Sequence, residues 1–296
     1  MTASSAPGRD TLGAPRRHRY WESRQGLALI ATLAFFLAVY LYPISRLLVW
    51  SFFSPGFTLE HYAKLFGEPA YLRAFRNTAE ISVWVTVFSL VLGYPLAYLM
   101  TTVTPRVRAV LIVLVLVPFW TSVLVRTFAW MVILGKRGLI NQILVGWGVV
   151  DRPVALIYNM VGVQIGMVHV LLPFMVFPLL GVMSRIDTAL VAAARSLGAS
   201  PRQAFLRIFL PLSLPGVSAG CVLVFLLAVG FYITPALLGG EGQVTFATLI
   251  ELVVRDLLDW NFGASLGVFL LTVVGTLFVL GTTLLGLDRL TGQGRA

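Results

Sequence analysis

Charge is scarce in this sequence: 11% of its 296 residues are charged, with 12 acids against 22 lysines and arginines. A soluble chain of this length needs a far more polar surface, so a soluble globular domain is excluded. Cysteine is almost absent. The single Cys221 lies inside an apolar run, can form no internal disulfide and reads as a packed thiol, which leaves the redox compartment unread. The three histidines, His18, His61 and His169, are scattered, so no metal-ligand cluster forms. His169, alone in an apolar run, reads as a hydrogen-bonded packing residue rather than a ligand. No loop of the type G-x-x-x-x-G-K-S/T occurs: Gly135-Lys136 lacks both the upstream glycine and the following hydroxyl residue. The chain therefore has no phosphate-cradling loop and no ATP site of its own. No Ser/His/Asp constellation is visible either, and the chain reads as a non-enzyme.

What is present is hydrophobicity, at 58% of residues and a mean hydropathy of +0.89. Measured against the ~20 apolar residues that span a bilayer, six runs stand out, at approximately 27–51, 77–100, 109–134, 155–180, 213–238 and 263–287. Lipid offers no partner for unpaired backbone groups, so runs of this length read as helices. The first run is too long for a signal-peptide core and is followed by no small-residue cleavage pattern, so it is expected to remain as a signal anchor. The leader MTASSAPGRDTLGAP is small, polar and Pro/Gly-bearing, and residues 1–25 are expected to be a disordered tail. Residues 26–290 then form one six-helix membrane domain without internal repeat, and 291–296 a short C-terminal tail.

Arginine and lysine set the orientation. One series of segments holds Arg9, Arg16, Arg17, Arg19, Arg24, then Arg106 and Arg108, then Arg185, Arg195, Arg202 and Arg207, then Arg289 and Arg295. The opposite series holds fewer cations and most of the acids, including Glu241, Glu251, Asp256 and Asp259. The positive-inside rule puts both termini and the 184–212 segment in the cytoplasm, with 52–76, 135–154 and 239–262 external. The net charge of +10 serves this orientation, and no nucleic acid is implied.

The stretch VAAARSLGASPRQAFLRIFLPLSLPG, Val191 to Gly216, breaks the apolar pattern with three arginines and three prolines. Asp187 is placed to cap a helix over Thr188–Leu197, and Gly198 suits the left-handed position that ends it. Ser200-Pro201-Arg202-Gln203 then reads as a second helix start with a capping box. Pro211 and Pro215 are expected to interrupt the path into the fifth span. A connector between spans needs less than this, so the segment reads as a cytoplasmic helix–turn–helix that docks on a partner.

The spacing carries a resemblance. Ala192-Ala193-Ala194, Gly198 after three residues, and Ile208-Phe209-Leu210-Pro211 after nine more resemble the EAA signature of ABC-importer permeases, with Ala192 at the usual glutamate position. Asn77-Thr78, Gly93-Tyr94-Pro95-Leu96-Ala97-Tyr98, Pro118-Phe119-Trp120-Thr121-Ser122 with Arg126-Thr127, Gly138-Leu139-Ile140-Asn141 and Thr234-Pro235-Ala236-Leu237-Leu238-Gly239-Gly240 are similar to the spermidine/putrescine-type permeases. The resemblance implies an all-α, six-span type I importer half whose coupling helices lie between spans four and five. Docking on the ATP-binding subunit then falls to Ala192, Ala193, Ala194, Arg195, Gly198, Ala199, Ser200, Pro201, Ile208, Leu210 and Pro211. It further implies two copies of that subunit, which hold ATP and Mg, a second permease, a substrate-binding protein and a bacterial inner-membrane location, with no cofactor on this chain. The solute implied is a polyamine. Sister branches for aminoethylphosphonate, ferric iron or sulfate share parts of the pattern.

Glu80, one turn inside span two, and Arg126, in the outer half of span three, are intramembrane charges that cost ~2.5–3.5 kcal/mol each to insert. Either they pair and tie the two spans together, or Glu80 borders a path for a cation. Arg46 is expected to snorkel. Trp120, Thr121 and Ser122 are candidates for the path because polar groups at mid-depth face a bundle interior. Trp130 and Tyr232 read first as interfacial aromatics, and Tyr232 is kept as a path candidate because an aromatic face suits an ammonium group. An ion-coupled secondary transporter, the alternative class, calls for paired halves with broken helices around an ion site. No such pairing is legible here.

Overall fold

The computed structural model describes residues 17–53 and 56–284; the expectations for 1–16 and 285–296 lie outside the described residues. The elements are α1 Arg17–Phe52, α2 Glu60–Gly67, α3 Pro69–Thr102, α4 Pro105–Trp120, α5 Val123–Leu134, α6 Leu139–Gly146, α7 Met160–Met183, α8 Thr188–Ser196, α9 Pro201–Ala204, α10 Leu210–Val229, α11 Ile233–Leu238, α12 Phe246–Arg255 and α13 Trp260–Leu284. No strand occurs among the described residues. Proline sits in the first turn of α3, α4, α9 and α10, where a missing N–H costs nothing.

Among the described residues, five helical stretches are long and apolar enough to cross a membrane, and α4 with the α5–α6 segment makes a further bent pair. Several boundaries differ from those read in the sequence. Residues 17–25, expected in a disordered tail, extend α1; after Pro15 no proline or glycine occurs before Gly26 to stop a helix there. The third run is not one straight rod. Its two halves meet at 100°, because Thr121 turns extended (φ −98°, ψ 140°) after Pro118 and Ser122 restarts the chain as an N-cap, accepting from the Leu124 N–H.

The fifth span also shifts. Instead of a separate short helix and a broken path, α9, a π turn at Phe205–Phe209 and α10 run continuously over Pro201–Val229. The wider π turn offsets the register so that Pro211 falls in the first turn of α10, where its ring displaces no needed donor. Pro215 is absorbed within α10, as proline often is in spans whose neighbours re-satisfy the freed carbonyl. The span ends at Val229, and Ile233–Leu238 forms the separate helix α11.

The core is the mutual packing of α3, α7 and α10. Met175 of α7 lies between glycines of the two others: a Cβ on Gly93 would meet its Cγ at 2.9 Å and one on Gly220 its Sδ at 2.7 Å. Small residues of this kind let membrane helices approach closely. Around Met175, Ile81, Val85, Met167, Leu171 and Leu179 are buried. A smaller cluster of Leu65, Phe246, Val253 and Phe262 joins α2, α12 and α13 to the start of α3. α1 packs along α13 and leaves most of its apolar surface open.

Polar bonds fix which segments share an end. Asn77 Nδ2 at the start of α3 donates to the Gly242 and Val244 carbonyls (2.9 and 3.1 Å), and the Phe246 N–H donates to Thr78 Oγ1 at 2.7 Å. At the opposite end, beyond α3, Arg108 Nη2 donates to Ser184 Oγ at 2.7 Å. The 103–108 turn and the α7–α8 junction therefore lie together, across the molecule from the 239–246 segment.

Candidate functional site

Two places carry the residues singled out above. The first is the α8–α9 turn. Asp187 Oδ1 accepts from the Ala189 N–H at 2.8 Å and starts α8. At the other end Gly198 has φ +90°. Its N–H donates to the Arg195 carbonyl and the Ala199 N–H to the Ala194 carbonyl, both at 3.0 Å. That crossed pair is a Schellman closure, which satisfies carbonyls that a helix end leaves free. Ser200 and Gln203 then form a reciprocal capping box: Gln203 N–H donates to Ser200 Oγ (3.3 Å) and Ser200 N–H to Gln203 Oε1 (2.9 Å).

Each half of the motif thus has a local job. The Ala-rich half makes a helix none of whose residues is buried. Ala192, Ala193, Arg195, Gly198, Ser200 and Pro201 are exposed, with Ala194 and Ala199 half-buried. The Ile208–Pro211 half anchors the turn to the bundle. Ile208 and Leu210 are half-buried, Pro211 is exposed, and Phe209 between them is buried. Phe205 and Phe209 stack on each other at 5.7 Å, and Tyr98 meets both edge-on at 5.4 and 5.0 Å. Beside them Tyr94 and Ser213 share a hydroxyl–hydroxyl bond of 2.9 Å. Leu197, which the sequence reading passed over, is 89% exposed at the tip of the turn.

The second place is a groove of about 740 Å³ along α3 and α7, closed on one side by α5. Glu80, Trp84, Phe88 and Val91 reach it from one face of α3, at helical spacings of four and three. Gln164 and His169 reach it from α7 and Trp130 from α5. Trp130 Nε1 donates to His169 Nδ1 at 3.1 Å. Trp130 therefore lines the groove with its N–H held by α7. Trp84 and Phe88 stack at 5.6 Å.

Of the path candidates, only Glu80 lines this groove. It does not pair with Arg126: the ion pairs among the described residues are those of Arg255 with Glu251 and Asp256. Of the two readings of these charges, the salt bridge between spans two and three is thus absent among the described residues. Glu80 is exposed, while Arg126 is half-buried with Nε buried and unpartnered. Trp120 stands 77% exposed at the α4–α5 bend. The Thr121 hydroxyl donates to the Pro118 carbonyl and Ser122 accepts from the Leu124 N–H, so both hydroxyls serve backbone groups bared by the bend. Tyr232 is half-buried at the break before α11. Trp84 and Gln164 belong to the groove but were not singled out. A lone glutamine inside an apolar run, and a tryptophan one turn after Glu80, were the available signals.

Comparison with known proteins places these features in a family. The model of the family described as "Binding-protein-dependent transport system inner membrane component" matches residues 108–287, which include the whole α8–α9 turn. The chain is similar to the spermidine/putrescine transport system permease protein PotB of Salmonella typhimurium (strain SL1344), 37% identical over 230 residues, which are 78% of this chain and 80% of that protein. It is also similar to the inner membrane ABC transporter permease protein YdcU of Escherichia coli (strain K12), at 29% identity, covering 82% and 84% of the two chains. Among solved structures, a chain of a bacterial alginate ABC transporter, in complex with its alginate pentasaccharide-bound periplasmic protein, superposes with a TM-score of 0.74. It is 19% identical and covers 90% of this chain and 95% of that one, a likeness of fold.

Proposed function

The chain belongs to the family of binding-protein-dependent transport system inner membrane components, and we propose that it is one permease half of a polyamine importer driven by ATP. It is a multi-pass membrane transport component and not an enzyme. The observation that carries the solute is the 37% identity to spermidine/putrescine permeases over 78% of the chain. The finer reading counts the bent α4–α5 pair as one span, which gives six, with both termini and the α8–α9 turn in the cytoplasm. The uneven distribution of arginine supports this orientation.

In this reading the turn is the docking element. Leu197, the exposed alanines of α8 and Arg195 offer a small, mixed apolar and cationic surface to a cytoplasmic ATP-binding subunit. Two copies of that subunit bind ATP and Mg, a second permease completes the path, and a periplasmic binding protein delivers the solute. The buried Phe209 anchor and the Tyr94–Ser213 bond tie the turn to α3 and α10, so a push on α8 reaches the core helices. Glu80, Trp120, Thr121, Ser122, Arg126 and Tyr232 border the path in this reading.

The test is ATP-dependent uptake of radiolabelled spermidine by liposomes holding this chain, its second permease and its ATPase, with the cognate binding protein outside. Uptake that needs ATP and the binding protein is expected. Uptake of a different solute with none of spermidine or putrescine would overturn the assignment.

A further inference from the structure

Two acceptors of the α3–α7 groove, Gln164 Oε1 and the Glu80 carboxylate, stand without a donor among the described residues. Gln164 is 7% exposed; its Nε2 donates to the Ile81 carbonyl at 3.4 Å, but its Oε1 is buried with no partner. A buried acceptor left unpaired is costly, and a structure that keeps one invites a donor from outside. The bond to Ile81 holds the Gln164 amide beside α3 at the level of Glu80, the adjacent residue in sequence. Glu80 is itself exposed and without an ion pair, and it lines the same groove. An ionised carboxylate is acceptor-only. His169 adds no opposing charge: its Nδ1 accepts the Trp130 N–H and so carries no proton. The rest of the wall is apolar and aromatic. From Glu80 to Val91 it runs about 16 Å along α3 at 1.5 Å per residue.

We infer that this groove binds a primary alkylammonium group of the free solute, with the ammonium donating to Glu80 and Gln164 Oε1 and the methylenes lying along Trp84, Phe88 and Trp130. The guest must present donors to both acceptors at one end, which fits an ammonium with its three N–H groups. Beyond that end the wall suits methylenes, because it is mostly apolar and holds no second carboxylate. Any further ammonium is left to the faces of Trp84 and Trp130. The inference rests on the reading of the chain as a polyamine permease half, and assigns the first ammonium to Glu80 and Gln164 within it.

The experiment is equilibrium binding of radiolabelled spermidine to the assembled importer in nanodiscs of phosphatidylcholine only, without binding protein, alongside the uptake assay. Glu80→Gln and Gln164→Leu should each weaken binding about tenfold or more, the effect of one hydrogen bond to a charged group. Gln164→Glu loses the same bond to Ile81 yet adds a carboxylate, so it should bind at least as tightly as the native complex. An excess of n-hexylamine, with one ammonium and one alkyl chain, should displace the label. Equal loss in Gln164→Leu and Gln164→Glu would show a merely structural glutamine and overturn the inference. So would native binding in Glu80→Gln. An amine headgroup of phosphatidylethanolamine has the same chemistry. If the native complex binds no spermidine in phosphatidylcholine, and instead retains phosphatidylethanolamine in a Glu80-dependent way, the site is a lipid site and the inference fails. The two readings fail separately. Normal uptake with unaltered binding in the variants sinks the groove site alone. Glu80-dependent binding without spermidine uptake sinks the importer assignment alone.

Discussion

Gly198→Val isolates the conformational demand of the α8–α9 turn. Gly198 has φ +90°, and a Cβ built on it would find no heavy atom within 4 Å. The substitution therefore causes no collision beyond the turn, and its cost is that of forcing an L-residue into the left-handed region. That is about 1–2 kcal/mol, at the upper end for a β-branched side chain. No residue of α8 is buried, so tertiary packing does not hold the turn against this strain. The closing bonds from Gly198 and Ala199 to Arg195 and Ala194 should give way instead. At 1.4 kcal/mol per factor of ten, the equilibrium constant for the docking-competent turn falls about tenfold or more, while the transmembrane core is untouched. In the reconstituted importer, binding-protein-stimulated ATP hydrolysis and uptake should both fall, by up to about that factor, with unchanged membrane insertion. Gly198→Asn, which tolerates the left-handed region, should recover most of the loss. Native coupling in a fully assembled Gly198→Val complex would refute the argument. So would an asparagine variant as damaged as the valine one, because the defect would then lie in a contact and not in φ.

Gly166→Ala tests the packing of α7 on α11: its methyl would meet Thr234 Cγ2 at 2.6 Å and Leu238 Cδ1 at 2.7 Å. Overpacking of this kind costs about 1–3 kcal/mol, so the melting temperature in detergent should drop, and an unchanged melt would count against the close α7–α11 contact. For orientation, cysteines at Glu60 and Arg202, in a chain with Cys221 replaced by alanine, should react with an impermeant thiol reagent only from outside and only from inside respectively; the reverse pattern would invert the topology. Because Glu80 and Arg126 form no ion pair, a thermal-stability cycle of Glu80→Gln and Arg126→Met should show a coupling below about 0.5 kcal/mol, whereas a large coupling would restore the salt-bridge reading.

What could be read in the sequence was what is decided locally or by composition. The all-helical membrane class follows from apolar length, because lipid admits no other lone segment with satisfied backbone. Caps were legible for a similar reason. Asp187, Ser200 with Gln203, and Gly198 act on groups within a few residues, so a short pattern contains the whole interaction. The bend at Trp120 and the break after Val229 were not legible. Hydropathy stays high through both, and a window that averages it registers depth in lipid but not direction of travel. Pro118-x-x-Thr-Ser did carry the bend, and its hydroxyls, singled out as path candidates, also hold backbone groups at the helix ends that the bend creates.

The groove was illegible for a different reason. Its parts come from residues 80–92, 130 and 160–172, and no local pattern joins them. Charge drew attention to Glu80 and Arg126 as a pair because both lie at similar depth in neighbouring spans, but depth does not fix the face of a helix. α3 and α7 put Glu80 and Gln164 in the lining of one groove, and the break between α4 and α5 leaves Arg126 on a segment running at 100° to α4. Trp130 joins the groove for the same reason. An indole near the end of a span is at home in the interface, but one whose N–H is held by His169 Nδ1 has its donor spent inside the protein. Its ring is then a fixed wall of the groove that Glu80 and Gln164 also line.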